Sequence, residues 1–334
     1  MEYDFSRTYY YVRVDLRRRN LQTPRSATLC ASNVGEPASP THFKNVMHNH
    51  SNSVLITGAS TGIGAACALR LATRGIAVFA GVRNAADGAA LQAQNAALIT
   101  PVLIDVTDAA SIAAAVETVT LRTGTHGLGG LVNNAGIAVG GPLEVLPLSE
   151  LRRQFDVNVF GALAVTQACL PLLRTARGRI VNMGSIAGRV ALPIIGAYSM
   201  SKFALRAMTH ALRLELDAAG IDVTVVEPGA VTTPIWKKSG DAANMLEATL
   251  AHPALPYYRA HLDSFRTITA KAERHAVSAD AVARAVEQAL TATRPRPYYL
   301  VGRDAKLRAA LEAVLPQGAL DTLHRWFLKV PRRR

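Results

Sequence analysis

The sequence predicts a single α/β domain whose parallel sheet is wrapped by helices on both faces, which is a doubly wound fold. From residue 53 onward, short apolar segments alternate with longer segments of helical period, and this alternation is typical of parallel sheets with helical crossovers. The first apolar segment leads directly into the glycine-rich turn 58–64, as it does in dinucleotide-binding α/β folds. A chain of 334 residues that is 49% hydrophobic can bury the core that such a fold needs.

The elements follow one another in a regular order along the chain. Segment 53–57 is a short apolar run and is predicted as a buried strand, and residues 62–74 show the pattern of a helix that starts in the glycine turn. By the same criteria the further predicted strands are 76–81, 98–103, 129–132, 179–184, 221–227 and 298–301. The further predicted helices are 86–95, 108–122, 149–174, 196–219 and 278–293. The tail 303–334 offers two short helices.

These boundaries divide the chain into three parts. Residues 1–50 show no sustained period and are predicted to be an N-terminal extension, either disordered or a start assigned too far upstream. Residues 51–302 are predicted to form the doubly wound α/β domain, and residues 303–334 a basic helical extension at the C-terminus.

The formal net charge of +13 is concentrated at the chain ends. Residues 1–46 carry a net +3 and residues 291–334 a net +7, so residues 47–290 carry only +3. Because the body of the protein is nearly neutral, the charge does not indicate a nucleic-acid partner.

The composition also bears on localisation and metals. Cys30, Cys67 and Cys169 have neither metal-ligand spacing nor a paired framework, so we expect no metal site and a reducing, cytoplasmic location. No segment reaches 18 uninterrupted apolar residues, so a membrane-spanning helix is not expected. The last tail helix carries Trp326 and Phe327 among basic residues, which could contact an anionic membrane, but covering an edge of its own domain is favoured.

Tyr198 and Lys202 are four residues apart in the predicted helix 196–219 and therefore share one face of it. An ammonium beside a phenol favours the phenolate, so we expect Lys202 to lower the pKa of Tyr198 from its ordinary value of about 10. A phenol of this kind can exchange a proton with a carbonyl or alcohol oxygen.

Several further motifs stand in a fixed order around this pair. They are Gly58-Ala-Ser-Thr-Gly62-Ile-Gly64, Asn133-Asn-Ala-Gly136, Asn158, Ser185 and Pro228-Gly229. With Tyr198-x-x-x-Lys202 they make the sequence resemble the short-chain dehydrogenase/reductase family in its smaller, non-extended form, over about residues 52–302. The stretch 185–198 looks most like the retinol/steroid-dehydrogenase-like branch. The resemblance implies one Rossmann-type domain with the strand order 3-2-1-4-5-6-7.

The resemblance also implies catalytic roles. Tyr198 would donate and accept the proton of the carbonyl or alcohol oxygen, and Ser185 would contact the same substrate oxygen and stabilise its charge. Lys202 would lower the pKa of Tyr198 and bind the nicotinamide ribose. Asn158 would hold a water that links Lys202 to solvent. Residues 230–275 correspond to the mobile lid over the substrate.

A nicotinamide dinucleotide is the implied cofactor. The residues that match its binding site are Gly58, Ser60, Thr61, Gly62, Ile63 and Gly64 for the pyrophosphate and adenosine, Asp105 and Val106 for adenine, Asn134, Ala135 and Gly136 beneath the adenine ribose, Pro228, Val231 and Thr233 for the nicotinamide carboxamide, and Tyr198 with Lys202. Val82 follows the predicted second strand, at a position where NAD enzymes commonly have an acid, and Arg83 comes next. Because a guanidinium matches a 2′-phosphate, NADP is preferred over NAD.

The expected function is therefore interconversion of a ketone or aldehyde and an alcohol, on a hydrophobic steroid-, retinoid- or lipid-like substrate. One alternative is a 3-oxoacyl reductase that acts on carrier-linked chains. Another is a non-catalytic dinucleotide-binding sensor or scaffold, which is disfavoured because both Tyr198 and Lys202 are present. The resemblance further suggests a homodimer or homotetramer that pairs helices 149–174 and 196–219.

Overall fold

A seven-stranded parallel sheet forms the centre of the protein. The structure, a computed structural model, describes residues 52–233 and 252–328. The strand order is β3-β2-β1-β4-β5-β6-β7, as expected, and neighbouring strands all pair in parallel. The strands are β1 Ser53–Ile56, β2 Ala77–Val82, β3 Ile99–Leu103, β4 Gly130–Asn133, β5 Arg179–Met183, β6 Asp222–Pro228 and β7 Tyr298–Val301. The predicted N-terminal extension, residues 234–251 of the predicted lid and residues 329–334 lie outside the described residues.

Ten α-helices surround the sheet in the described part of the chain. They are α1 Gly62–Thr73, α2 Ala85–Gln92, α3 Ala109–Thr123, α4 Leu148–Phe155, α5 Ala162–Ala176, α6 Gly196–Glu215, α7 Leu255–Arg274, α8 Ala279–Thr291, α9 Arg303–Val314 and α10 Gln317–Leu328. The predicted helix 149–174 corresponds to α4 and α5, which are joined by a π-helical segment, Asp156–Gly161. Such π-helical insertions are frequent at functional sites.

The alternation of side chains along each strand builds two cores. In β1, Val54 and Ile56 contribute to the core beneath α1 and α8, whereas Leu55 lies in the core beneath α3, α5 and α6. Because successive side chains of a strand point to opposite faces, a continuous apolar strand can fill both cores, and each of these three residues is fully buried.

The helical segment Leu148–Ala176 is long and apolar enough to cross a membrane by length and composition. Half of its most apolar window is buried inside the protein. Val165, Cys169 and Leu173 of this segment are completely buried in the core on the α3, α5 and α6 face of the sheet. The segment therefore packs as a core helix of the domain.

The C-terminal helices close the end of the sheet near β6 and β7. Asp304, in the first turn of α9, accepts a hydrogen bond from the backbone N–H of Ala230, which follows β6. Helix α10 contacts α7 and α9, and it buries Leu320 and Leu328 while Trp326 remains 74% exposed. One side of α10 therefore covers its own domain.

An ion-pair group joins α8 to α1, the helix that begins in the glycine turn. Glu287 accepts hydrogen bonds from Arg70 Nε at 2.5 Å and lies 2.9 Å from Arg74 Nε, and its side chain is 7% exposed. Asp280, which is 49% exposed, also contacts Arg70.

We expect Glu287→Gln to lower the free energy of unfolding by about 2 kcal/mol, because it leaves two partly buried guanidinium groups without their carboxylate. Asp280→Asn is the matched control and should change it by about 0.5 kcal/mol or less, since Asp280 is half exposed. Urea denaturation of the three proteins measures both effects. Equal losses in the two variants would contradict a special role for the buried carboxylate.

Candidate active site

The glycine turn after β1 is shaped by close contacts between backbone segments. Gly58 and Gly62 have positive φ angles of +64° and +59°, which side chains other than that of glycine adopt only with strain. A Cβ atom on Gly64 would lie 2.3 Å from the carbonyl oxygen of Gly58 and 2.5 Å from Nδ2 of Asn134. The turn therefore exposes bare backbone at the start of α1.

Two side chains hold this turn against the end of β4. Thr57 Oγ1 accepts hydrogen bonds from the backbone N–H groups of Asn134 and Ala135 at 3.1 and 3.0 Å. Asn134 Nδ2 in turn donates to the carbonyl oxygens of Thr57 and Gly58, both at 2.9 Å. The structure thus uses the side chain of Asn134, predicted as a cofactor contact, to fix the turn. The role of Thr57 was missed, and its place just before Gly58 was the only sequence signal for it.

The start of α1 can accept an anion. Thr61 precedes the helix in an extended conformation and makes no capping hydrogen bond from its side chain, and the first turn contains no acidic residue. The first N–H groups of a helix have no partners within it and lie at the positive end of its dipole. Together with Ser60, Gly62 and Ile63, this arrangement fits a pyrophosphate.

The ends of β2 and β3 lie beside this turn. Val82, the last residue of β2, is buried, whereas Arg83, the next residue, is exposed. A cationic side chain therefore stands at the carboxyl end of β2, the strand that pairs with β1. Asp105 Oδ1 accepts hydrogen bonds from the hydroxyl and the N–H of Thr107, and these bonds, followed by the nearby charge of Arg83, hold the pKa of Asp105 below its ordinary value. Val106 is buried. It lies close to the end of the π-helical segment, because a Cβ on Gly161 would be 2.7 Å from the carbonyl oxygen of Val106.

The segment after β6 forms the opposite side of the expected cofactor site. Ala230 and Thr232 exchange backbone hydrogen bonds with Val277, both at 3.0 Å. In such a parallel bridge the peptide groups of the intervening residue, Val231, project from the other side of the chain. Pro228 is the last residue of β6, and Thr233, the last described residue before 252, is half-buried.

Ser185, Tyr198 and Lys202 meet at the carboxyl end of β5. The hydroxyl groups of Ser185 and Tyr198 are hydrogen-bonded, and Ser185 Oγ also accepts from the N–H of Ala187 at 3.1 Å. Lys202 Nζ donates to the carbonyl oxygen of Met183 at 2.7 Å and lies 5.6 Å from the centre of the Tyr198 ring. The structure therefore brings together three of the four predicted catalytic side chains.

Burial dominates the electrostatics of this group. It raises the pKa of Tyr198 to about 12, although the hydrogen bond with Ser185 acts in the opposite direction. It also lowers the pKa of Lys202 from 10.5 to about 8. The expectation that Lys202 lowers the pKa of Tyr198 is not met in the protein alone, because both groups are removed from water and the charged form of each is penalised. Tyr198 therefore holds its proton at neutral pH.

Asn158, the fourth predicted catalytic residue, lies in the π-helical segment. Its amide accepts from the N–H of Ile137 at 2.9 Å and donates to the carbonyl oxygen of Ile137 at 3.0 Å. It also donates to Ser201 Oγ, which in turn donates to the carbonyl oxygen of Tyr198. Asn158 thus holds the chain after β4, near Gly136, against the turn of α6 that carries Tyr198 and Lys202.

An apolar surface surrounds the Tyr198 side chain. Buried Ala187, Ile195 and Tyr198 form one cluster, and partly buried Ala138, Leu192 and Phe265 pack against it. Phe265 belongs to α7, within the predicted lid, but sequence reasoning did not single it out. Among the described residues, no group of three or more His, Cys, Asp or Glu side chains is arranged to hold a metal ion.

Comparisons with known proteins show which proteins this chain is similar to. The family model described as "short chain dehydrogenase" matches residues 52–244. A 3-amino-tetrahydro-pyrrolizinone reductase of Xenorhabdus hominickii is 36% identical over 276 residues, which cover 82% of this chain and 94% of the relative. Human retinol dehydrogenase 5 is 36% identical over 288 residues, which cover 83% of this chain and 89% of the relative.

The chain is also similar to a solved structure. A short chain dehydrogenase from Burkholderia cenocepacia, crystallised in complex with NADP, matches with a TM-score of 0.64 and 27% identity. The match covers 83% of this chain and 98% of the solved chain.

The depressed pKa of Lys202 predicts a pH-dependent cost of stability. The pKa of Lys202 is about 8 in the folded protein and 10.5 in the unfolded chain, so its burial as an ammonium lowers the free energy of unfolding. This loss is complete below about pH 8 and disappears as the pH rises toward 10.5. Lys202→Met should therefore be more stable than the native protein at about pH 7.5, and the difference should shrink by about 2 kcal/mol by about pH 9.5.

Urea denaturation of both proteins at the two pH values measures this difference, in which groups common to both proteins cancel. Tyr198 does not interfere, because burial raises its pKa to about 12. A gap that stays constant or widens with pH would contradict the depressed pKa of Lys202.

Proposed function

Because the chain belongs to the short-chain dehydrogenase family, it is an NAD(P)-dependent oxidoreductase of alcohol and carbonyl groups, and we propose that Tyr198 is its general acid and base. The observation that supports this most directly is the hydrogen bond between Tyr198 and Ser185, beside the ammonium of Lys202. The three groups lie at one end of an apolar surface, where a substrate oxygen can reach both hydroxyl groups.

In the reducing direction Tyr198 gives its proton to the carbonyl oxygen while Ser185 donates a hydrogen bond to the same oxygen. The nicotinamide cofactor, when bound, supplies the hydride for reduction or accepts it in oxidation. Lys202 stabilises the phenolate that Tyr198 becomes, and the free energy of this interaction offsets part of the desolvation cost. Asn158 and Ser201 keep Tyr198 and Lys202 in register with the cleft. In oxidation the same groups act in reverse.

The cofactor would be held along the carboxyl ends of β1, β2, β4 and β6. The start of α1 would bind the pyrophosphate, and the peptide groups of Val231 would bind the carboxamide. We infer a preference for NADP, because Arg83 can pair with a 2′-phosphate and Val82 offers no carboxylate to bind the ribose hydroxyls. The similar Burkholderia protein was crystallised with NADP, which agrees with this preference.

The substrate is a hydrophobic ketone, aldehyde or alcohol. Ala138, Leu192 and Phe265 offer apolar contacts next to Tyr198, and a retinoid-, steroid- or lipid-like skeleton would bury against them. The alternative, a 3-oxoacyl reductase, predicts turnover of acyl thioesters in place of free hydrophobic ketones, and parallel assays of both substrate types decide between the two.

We also propose that the protein is a homodimer or homotetramer that pairs α4, α5 and α6 with a second copy. Phe160, Met200 and Phe203 support this, because they are 58%, 43% and 41% exposed although they are large and apolar. Sedimentation of the native protein and of a Phe160→Glu, Phe203→Glu double variant tests it. A native monomer, or an unchanged mass in the variant, would refute this interface.

We further propose a cytoplasmic location. The free thiols of Cys67 and Cys169 are both buried, which is compatible with a reducing compartment. Cell fractionation tests it, and recovery of the native protein in the membrane fraction would contradict the proposal.

Tyr198→Phe should lower kcat by about 10²-fold or more, since a positioned acid–base group commonly contributes 10² to 10⁴ in rate. The affinity for NADPH should fall much less than kcat, because the variant removes one hydroxyl and leaves Lys202 and the other residues matched to the cofactor site in place. Nicotinamide absorbance during turnover of a panel of hydrophobic ketones measures kcat, and fluorescence titration measures the affinity. Full activity in the variant would exclude Tyr198 as the acid. Tight cofactor binding without turnover of any substrate by the native enzyme would favour the sensor alternative.

Arg83→Ala should weaken NADPH binding about tenfold, which corresponds to about 1.4 kcal/mol, and leave NADH binding unchanged. Its matched control is Arg122→Ala. Arg122 is also exposed but lies in the last turn of α3, where the chain returns toward the start of β4. Fluorescence titrations with both cofactors check the prediction. An equal loss for both cofactors would remove Arg83 as the group that distinguishes them.

A further inference from the structure

Two contacts hold helix α7 over the substrate cleft. Near its start, the Tyr258 hydroxyl donates to Glu144 Oε2 at 2.6 Å, which joins α7 to the chain after β4. Two turns later, Phe265 packs on the cluster that contains Tyr198. In a regular helix, positions seven apart point within about 20° of each other. One face of α7 therefore spans the cleft from its rim to the proposed catalytic tyrosine.

His261 lies on the same face between these two contacts. At about 100° per residue, it is rotated by about 60° from Tyr258 and about 40° from Phe265. Its ring lies 5.8 Å from the Tyr258 ring. Its Nδ1 atom is buried and has no hydrogen-bond partner among the described residues.

A buried nitrogen without a partner is unfavourable unless something else satisfies it, and buried polar atoms in native proteins nearly always have a partner. An imidazole nitrogen accepts from a hydroxyl or donates to an oxygen, according to its tautomer. The Tyr258 hydroxyl donates to Glu144 and is not a hydrogen-bond partner of His261 Nδ1 in the structure. Because His261 lies between Tyr258 and Phe265 on the face of α7 over the cleft, a polar group of a bound substrate can supply the missing partner.

We propose that His261 is a specificity-determining residue that binds a second oxygen of the substrate, remote from the reacting carbonyl. Four residues of helix separate His261 from Phe265, which corresponds to about 6 Å along the axis, so this oxygen lies beyond the part of the skeleton that packs on Phe265. The substrate is then a hydrophobic keto-alcohol or diol rather than a plain hydrocarbon ketone. The inference rests on the proposed function, since it assumes that the reacting oxygen lies at Tyr198.

The test compares matched substrates with NADPH as the reductant. In the first pair, both members are saturated steroids with a single ketone on the five-membered ring. One member has no other oxygen, and the other carries a hydroxyl group on the ring at the opposite end of the skeleton. Both configurations of that hydroxyl group are tested. The second pair is a decalin ketone without and with a hydroxyl on its other ring. The native enzyme should show a kcat/KM about tenfold higher for the hydroxylated member of at least one pair, mainly through a lower KM.

His261→Leu should abolish this preference, mainly by raising the KM of the hydroxylated ketone to that of the unsubstituted one. His261→Gln should retain part of it, because the amide can still make a hydrogen bond. His275→Leu is the matched control: His275 is exposed at the end of α7, and its replacement should keep the full preference. NADPH affinity and the thermal midpoint, measured for each variant, verify that it is folded, and His261→Gln serves if His261→Leu is not.

Three outcomes would overturn the inference. The native enzyme could show no preference within either pair, or His261→Leu and His261→Gln could keep it in full. Third, neither pair could be reduced although other hydrophobic ketones are. In each of these three cases the proposed function stands. If no ketone of any kind is reduced, the proposed function fails and this inference fails with it.

Discussion

The site depends on a hydrogen bond from Lys202 Nζ to the carbonyl oxygen of Met183, which joins α6 to the end of β5. Because Tyr198 is one turn before Lys202 on α6 and Ser185 is two residues after Met183, this contact determines where both hydroxyl groups lie. It also requires an ammonium to be buried, and burial lowers the pKa of Lys202 to about 8. The constraint that aligns the catalytic groups is thus one that the rest of the fold must stabilise.

The surrounding structure supplies that stabilisation in two ways. The apolar strands bury branched residues on both faces of the sheet, so the ends of β1, β4 and β5 are rigidly spaced. Polar side chains then join those ends: Asn133 Nδ2 bonds to Asn182 Oδ1 across β4 and β5, and Thr57 binds the turn after β4. Each of these side chains lies at the carboxyl edge of the sheet, where parallel α/β folds bind their ligands.

Local pattern predicted the positions and types of the strands and of most helices, because each apolar segment has a clear period and is bounded by glycine or polar residues. The order of the strands in the sheet came from the family resemblance. The same pattern could not reveal the π-helical segment, since it coincides with hydrogen bonds between Asn158 and Ile137, two residues far apart along the chain. The pKa of Tyr198 was misjudged for a related reason: neighbours in sequence indicate charge, but burial depends on the whole fold. Phe265 and His261 escaped notice because their relation to Tyr198 exists only once α7 lies over the cleft.

The lid helix also suggests how an apolar pocket can be selective. Apolar contacts such as those of Phe265 discriminate weakly among skeletons of similar size, because a methylene more or less changes the binding free energy little. A buried polar atom discriminates more strongly, because a substrate that cannot satisfy it leaves the atom unpaired in the complex. Selectivity in this site would then arise at His261 Nδ1, a polar atom of the protein that only a substrate with a second oxygen satisfies, whereas the chemistry resides at Tyr198.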